Sequence, residues 1–264
     1  MRIISLNAFG GHLFDGLMDF VRAEMPQTDI FCFQEMLDSP DGAFTSHGAR
    51  ANLYRELQTA LPEFQSFFAL TQEHFDETMT ISENVNAGLA MFVRHTLTVD
   101  NARDHFIYQH LNSFVPNDFL TFPGHMHALQ LNNGNRPLSI YSIHGASEPG
   151  NKLDCPHRLA QSQKILNFVH STPGEKIIMG DFNLLPNTQS IRMFLEQGFR
   201  NLIAEFSITT TRGSMMHQLH PQYGPHWQEF ADYAFISPSI NVINFSVPDV
   251  PASDHLPLIL EFSV

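Results

Sequence analysis

The strongest constraint on this chain's fold is a strand, helix, strand grammar that it uses twice. Residues 2–6 (RIISL) and 29–33 (DIFCF) are runs of strand formers. Between them, 13–25 places Leu13, Leu17, Phe20 and Val21 at helical spacing before Pro26 stops the helix. The second unit runs from 138–143 (LSIYSI) through a helix that opens near Pro156, with Leu159, Leu166 and Val169 on one face, to 176–180 (KIIMG). Residue identities differ between the units, so they are an architectural echo and not a demonstrated repeat. Further strands are expected at 64–70, 88–93, 126–131, 231–236, 241–247 and 257–262. Further helices are expected at 49–60 and 188–197, the latter capped by Asn187 and stopped by Gly198. Segments 72–87, 101–125 and 207–229 have weak periodicity and are expected to be mainly loops around a mouth. So many strands with interspersed helices predict two packed sheets covered by helices. At 264 residues and 43% hydrophobic, residues 1–264 are expected to form one domain.

Polar residues stand where these strands end. Asn7 follows RIISL, Glu35 follows DIFCF and one Gln, His144 follows LSIYSI, Asp181 follows KIIMG, and Asp254 with His255 precedes LPLILEF. If the edges converge, they build a cluster of carboxylates, an amide and two imidazoles. The spacing of Asp181 and Asn183 then reads as extended chain, which sends alternate side chains to one face. Neighbouring carboxylates repel unless they share a cation or a proton, which calls for a hard oxygen-binding ion. Mg²⁺ fits best, with Mn²⁺ able to substitute. It binds through one or two carboxylates, waters and substrate phosphate oxygens, which points to phosphoester chemistry.

Charge narrows the partners. Lys and Arg total 14 against 27 Asp and Glu, a net charge of −13, and no stretch of sequence forms a basic patch. Broad salt-driven binding to duplex nucleic acid is therefore not expected. The two cysteines, Cys32 and Cys155, are expected to be free thiols. No apolar run reaches the length of a membrane span and the amino terminus carries no secretory pattern, so a cytoplasmic protein starting at Met1 is the default expectation.

The ordered stretches IISLNAFGG (Asn7), DIFCFQE (Glu35), IYSIHGAS (His144), IIMGDFN (Asp181, Asn183), FADYAFIS (Asp232) and ASDHLPL (Asp254, His255) resemble the endonuclease/exonuclease/phosphatase superfamily, with its deoxyribonuclease I-like fold. The resemblance spans nearly the whole chain. It implies an α/β, four-layer αββα sandwich of two packed mixed β-sheets flanked by helices, a divalent metal and hydrolysis at phosphorus. A phosphodiesterase or nuclease is the leading reading. A sphingomyelinase-like lipid-headgroup phosphodiesterase or a sugar or inositol phosphatase is the alternative, and a non-catalytic binding module on the same fold is the rival. The implied partner is a phosphoester substrate (nucleic acid, nucleotide or lipid headgroup), and no protein partner is inferred.

On this resemblance Glu35 is the metal ligand, with Asn7 helping directly or through water. Asp181 would orient or deprotonate the attacking water and Asn183 would hold that water or a phosphate oxygen. Asp232 would accept a hydrogen bond from His255, which would act on water or stabilise the pentavalent phosphorus. His144 would donate to a non-bridging oxygen or protonate the leaving group, and Asp254 would complete the metal shell or orient a neighbour. Each residue alone has a plainer explanation. Asn7 and Asp254 could simply cap turns and Asp232 could form one. Arg158 and Gln161, on the helix after His144, could tie that loop to the pocket, with a solvated helix face the plainer expectation. His125 and His127, which share one strand face, are expected to be structural. The acidic run Glu73, Asp76, Glu77 and Glu83 is expected to be a solvated loop. Met215, Met216, His217, His220, His226 and Trp227 read as an ordered loop or as a substrate-contacting rim.

Overall fold

A computed structural model describes residues 1–42, 44–45, 47–132, 137–220 and 228–264, with backbone alone at 217. The strands are β1 (Arg2–Asn7), β2 (Ile30–Asp38), β3 (Phe64–Gln72), β4 (Asn86–Arg94), β5 (Val99–Tyr108), β6 (Gly124–Leu131), β7 (Leu138–His144), β8 (Glu175–Asp181), β9 (Arg200–Asn201), β10 (Asp232–Ile236), β11 (Asn241–Ser246) and β12 (Leu258–Ser263). The helices are α1 (Phe14–Glu24), α2 (Leu53–Ala60), α3 (Pro156–His170), α4 (Gln189–Glu196), α5 (Leu202–Glu205) and α6 (Met216–Leu219). The strands form two six-stranded sheets, ordered β11-β12-β1-β2-β4-β3 and β5-β6-β7-β8-β10-β9. Each sheet is mixed and contains one parallel pair, β1 with β2 and β7 with β8. Those pairs are the two units of the repeated grammar, because a parallel neighbour needs a crossover, and α1 and α3 supply it.

Side-chain alternation sorts the layers. In β1 and β2, Ile4, Leu6, Phe31 and Phe33 face outwards onto Leu17 and Val21 of α1 and Leu53 and Leu57 of α2. Ile3 and Cys32 face the second sheet. On the far side, Ile165 and Leu166 of α3 and Phe194 of α4 cover the second sheet, where Phe194 stacks on Phe235. This is the expected four-layer sandwich. At one end the apolar space between the sheets gives way to polar groups: Gln34 Nε2 donates across it to Ser142 Oγ at 2.8 Å. Among the described residues no helix is long and apolar enough to cross a membrane.

Several expectations needed correction. Residues 101–108, read as loop, belong to β5, an edge strand whose mostly exposed, charged residues hide the alternation. α2 starts at Leu53 and not at 49. Thr188, not Asn187, caps α4 by accepting from Ile191 N, while Gly198 ends that helix at φ +84°. Arg158 and Gln161 are fully buried, and Asp76 is buried where its carboxylate accepts from Thr78 and Met79. The two cysteines are free. His226, Trp227 and the side chain of His217 lie outside the described residues.

Candidate active site

Strand register gathers the polar strand ends. In the first sheet Asn7 pairs with Gln34, and beyond Phe33 the pairing of β2 with β4 slips by one residue. The bulge falls at Glu35, whose φ is +52°. Without it, Glu35 would share the outward face of Phe31 and Phe33. The extra residue re-aims its carboxylate between the sheets, as bulges beside functional sites commonly do. Asn7 Nδ2 then donates to Glu35 Oε1 at 2.8 Å and, across the gap, to Asp181 Oδ2 at 3.1 Å.

The second sheet contributes one rung. His125, His144, Asp181 and Asp232 are direct neighbours on β6, β7, β8 and β10. Gly180 lets β7 and β8 close here, since at its φ of +136° a Cβ would stand 2.2 Å from Ile143 O. Asp181 ends its strand, so its spacing from Asn183 has a different cause from the extended alternation expected. Asn183 N donates to Asp181 Oδ1 at 2.8 Å while Asn183 itself is left-handed, at φ +55°. The pair is a side-chain-closed turn. It fixes the Asn183 amide, whose Nδ2 donates to Gly145 O at 3.0 Å and whose Oδ1 accepts from Lys152 Nζ at 2.5 Å.

His144 Nε2 lies 3.6 Å from Glu35 Oε1, and His255 Nε2 lies 3.7 Å from Asp181 Oδ2. His255 Nδ1 lies 2.8 Å from Asp232 Oδ2, the expected carboxylate–imidazole pair. Burial opposes ionisation of Asp181, but His255, His144, Arg212 and Lys152 together hold its pKa below the ordinary value. Burial and the Asp181 charge push Asp232 up against the pull of His255. Burial and Arg212 oppose protonation of His255, yet Asp232, Asp254 and Asp181 raise it to about 9. Arg212 Nη1 also contacts His255 Nε2, and a guanidinium can only donate. The contact and a second ring proton are therefore alternatives. Asp254 lies apart from Glu35. It accepts from Ser253 Oγ and stands 3.1 Å from His220 Nε2 and 3.5 Å from Arg212 Nη1. Burial opposes its charge, but His255, His220 and Arg212 hold it well below the usual carboxylate range.

Among the described residues two groups offer ligand atoms within 4.8 Å of one another: Glu35, His144 and Asp181, and Asp181, Asp232 and His255. The first carries two carboxylates from opposite sheets, oxygen ligands suited to a hard dication, while the Asn7 Nδ2 between them donates to both and its Oδ1 accepts from Phe9 N at 3.0 Å. Glu35, His144, Asp181 and His255 line a cavity of about 750 Å³ whose walls include Phe9, His12, Phe122 and Met216. Glu77 lines it too, so part of the acidic run belongs to the mouth. His125 and His127 stay out of the lining. His125 is bonded to Thr71 and stacked on Phe106, and His127 Nδ1 lies 3.7 Å from Asp104. Lys152 was not foreseen, and Arg212 was given no place in the site. Lys152 sits in a loop without periodicity, and only the Arg-Gly that opens a weakly patterned segment marked Arg212.

A model of the Endonuclease/Exonuclease/phosphatase family matches residues 4–255. No curated protein sequence matches the chain. Among solved structures, a family protein from Leptotrichia buccalis superimposes with a TM-score of 0.72 at 17% identity, covering 100% of both chains. A mannosyl-6-phosphatase from Bacteroides thetaiotaomicron gives 0.70 at 14%, also over 100% of both. The human Nocturnin catalytic domain with bound sulfate gives 0.68 at 18%, over 100% of this chain and 94% of that one. At these identities the likeness is one of fold.

Proposed function

This chain belongs to the endonuclease/exonuclease/phosphatase family, and we propose that it is a Mg²⁺-dependent phosphoester hydrolase in which water attacks phosphorus in line with the departing ester oxygen. The observation that carries this reading is the Asn7 amide bridging Glu35 and Asp181 from opposite sheets, with His144 beside Glu35. Mg²⁺ would be held by Glu35 and Asp181, with the Asn7 amide orienting both carboxylates, and would supply Lewis-acid stabilisation of the phosphoryl oxygens; Mn²⁺ would serve in its place.

The chain's own groups supply the rest. Asp181, kept ionised by surrounding cations, orients the attacking water and draws its proton. Asn183, locked between Gly145 and Lys152, offers its remaining amide proton to that water or to a phosphoryl oxygen. Asp232 fixes the His255 tautomer with its proton on Nδ1, leaving Nε2 to accept from Arg212 and so to hold that guanidinium beside Asp181. His144 protonates the leaving oxygen, and Asp254 positions Arg212 and His220. Diester and monoester hydrolysis both fit these roles. Glu35→Ala should lower turnover of both p-nitrophenyl phosphate and bis(p-nitrophenyl) phosphate under Mg²⁺ by roughly a hundredfold or more. Near-normal turnover by the variant on either ester would reject the ligand assignment.

A further inference from the structure

The cavity holds a cation that its carboxylates do not account for. Lys152 is only 9% exposed, and its ammonium donates to two neutral oxygens, Ser147 O at 3.0 Å and Asn183 Oδ1 at 2.5 Å. Among the described residues it has no ion-pair partner, and its third N–H has no acceptor. Asp181 and Glu148 favour its charge only from beyond ion-pair distance, and a buried ammonium with no direct ion pair is costly to maintain unless an anion completes it. Arg212, 8% exposed, lines the same cavity. One of its nitrogens faces His255 and Asp254, but its Nε is buried without a hydrogen-bond partner. Both cations stand close enough to Asp181 to favour its charge, so they border the place where phosphorus must react.

We infer that Lys152 and Arg212 form a binding site for the terminal phosphate of a phosphomonoester, a substrate class that rests on the hydrolase reading above. A monoester dianion brings one more negative charge and one more free oxygen than a diester. Lys152 brings one more positive charge and one more donor than the carboxylate, amide and imidazole set. Asp181, His255, Lys152 and Arg212 line this part of the cavity together and are all buried. The reaction balances as ROPO₃²⁻ with water giving ROH and HPO₄²⁻. The water oxygen bonds to phosphorus, the P–O ester bond breaks, and one water proton is made good on the departing alkoxide through His144.

The test compares p-nitrophenyl phosphate with bis(p-nitrophenyl) phosphate on the full chain under Mg²⁺, alongside calorimetric binding of inorganic phosphate. Wild type should favour the monoester in kcat/KM. Lys152→Met and Arg212→Gln should each cut that preference and weaken phosphate binding by about tenfold or more. Lys152→Arg, which keeps the cation, should recover much of both, separating charge from a folding defect. Preference for the diester in wild type, or equal losses on the two esters in Lys152→Met with phosphate binding intact, would overturn the inference while leaving the hydrolase reading standing. Phosphate binding that depends on Lys152 in a protein that turns over neither ester would do the reverse.

Discussion

His125 shows how a residue beside the site acts on stability without touching chemistry. Its ring is fully buried, 2.9 Å from Thr71 Oγ1 and stacked on Phe106 at 4.3 Å, with Nε2 unpartnered. Burial above all, against the nearby Asp104 charge and with help from His127, His144 and His105, lowers its pKa from 6.5 to about 4. Between those values the unfolded chain takes a proton that the folded one refuses. This contribution is therefore complete above pH 6.5 and is lost as pH falls towards 4, amounting to about 2 kcal/mol by pH 5. Urea unfolding at pH 7.5 and pH 5 should show His125→Gln losing less stability on acidification than wild type by roughly that amount. An equal loss in both would place the sensitivity elsewhere. At this scale the sequence exposed Asn7, Glu35, His144, Asp181 and His255 because each ends or begins an apolar run. It hid Lys152, because burial there depends on a loop held by residues outside any such run.

That loop is the work of a helix. Arg158, in the first turn of α3, donates to the carbonyls of Leu153 at 2.9 Å, Ser147 at 3.0 Å and Pro149 at 2.7 Å, while Gln161 Oε1 accepts from Ala146 N at 2.9 Å. One helix face thus clamps the segment after His144 that carries Lys152. Arg158→Met should cost roughly 2 to 3 kcal/mol by leaving buried carbonyls short of donors. It should also weaken phosphate binding, although Arg158 does not line the cavity. Calorimetry on folded variant decides this, and unchanged phosphate affinity would show that the loop holds its shape unaided. Elements were legible where burial is one-sided or complete, as in β1, β2, β7, β8, α1 and α4. They were illegible where another rule governs. β5 is an edge strand that keeps charges outward, and Arg158 and Gln161 look like a solvated face until the loop they hold is folded over them. The bulge at Glu35 left no mark in composition, because its cause is the register with β4.

Across the molecule, the site lies where the two sheets meet, and each contributes a carboxylate to it: Glu35 from β2 and Asp181 from β8. In a chain of net charge −13 these two repel, and the Asn7 amide bridges them with His144 alongside. A dication bound there would link the sheets and stabilise the folded state alone. With free Mg²⁺ about a hundredfold above its dissociation constant, the linkage amounts to about 2.7 kcal/mol, or roughly 5 to 10 °C in the unfolding midpoint. Salt also relieves self-repulsion of an acidic chain, so the comparison must be with NaCl at matched ionic strength. Mg²⁺ should raise the midpoint well beyond NaCl, EDTA should reverse the rise, and Glu35→Ala should abolish most of it. A rise that NaCl reproduces in full, or that survives in Glu35→Ala, would mean that Mg²⁺ merely screens the surface and that the two carboxylates do not hold it between the sheets.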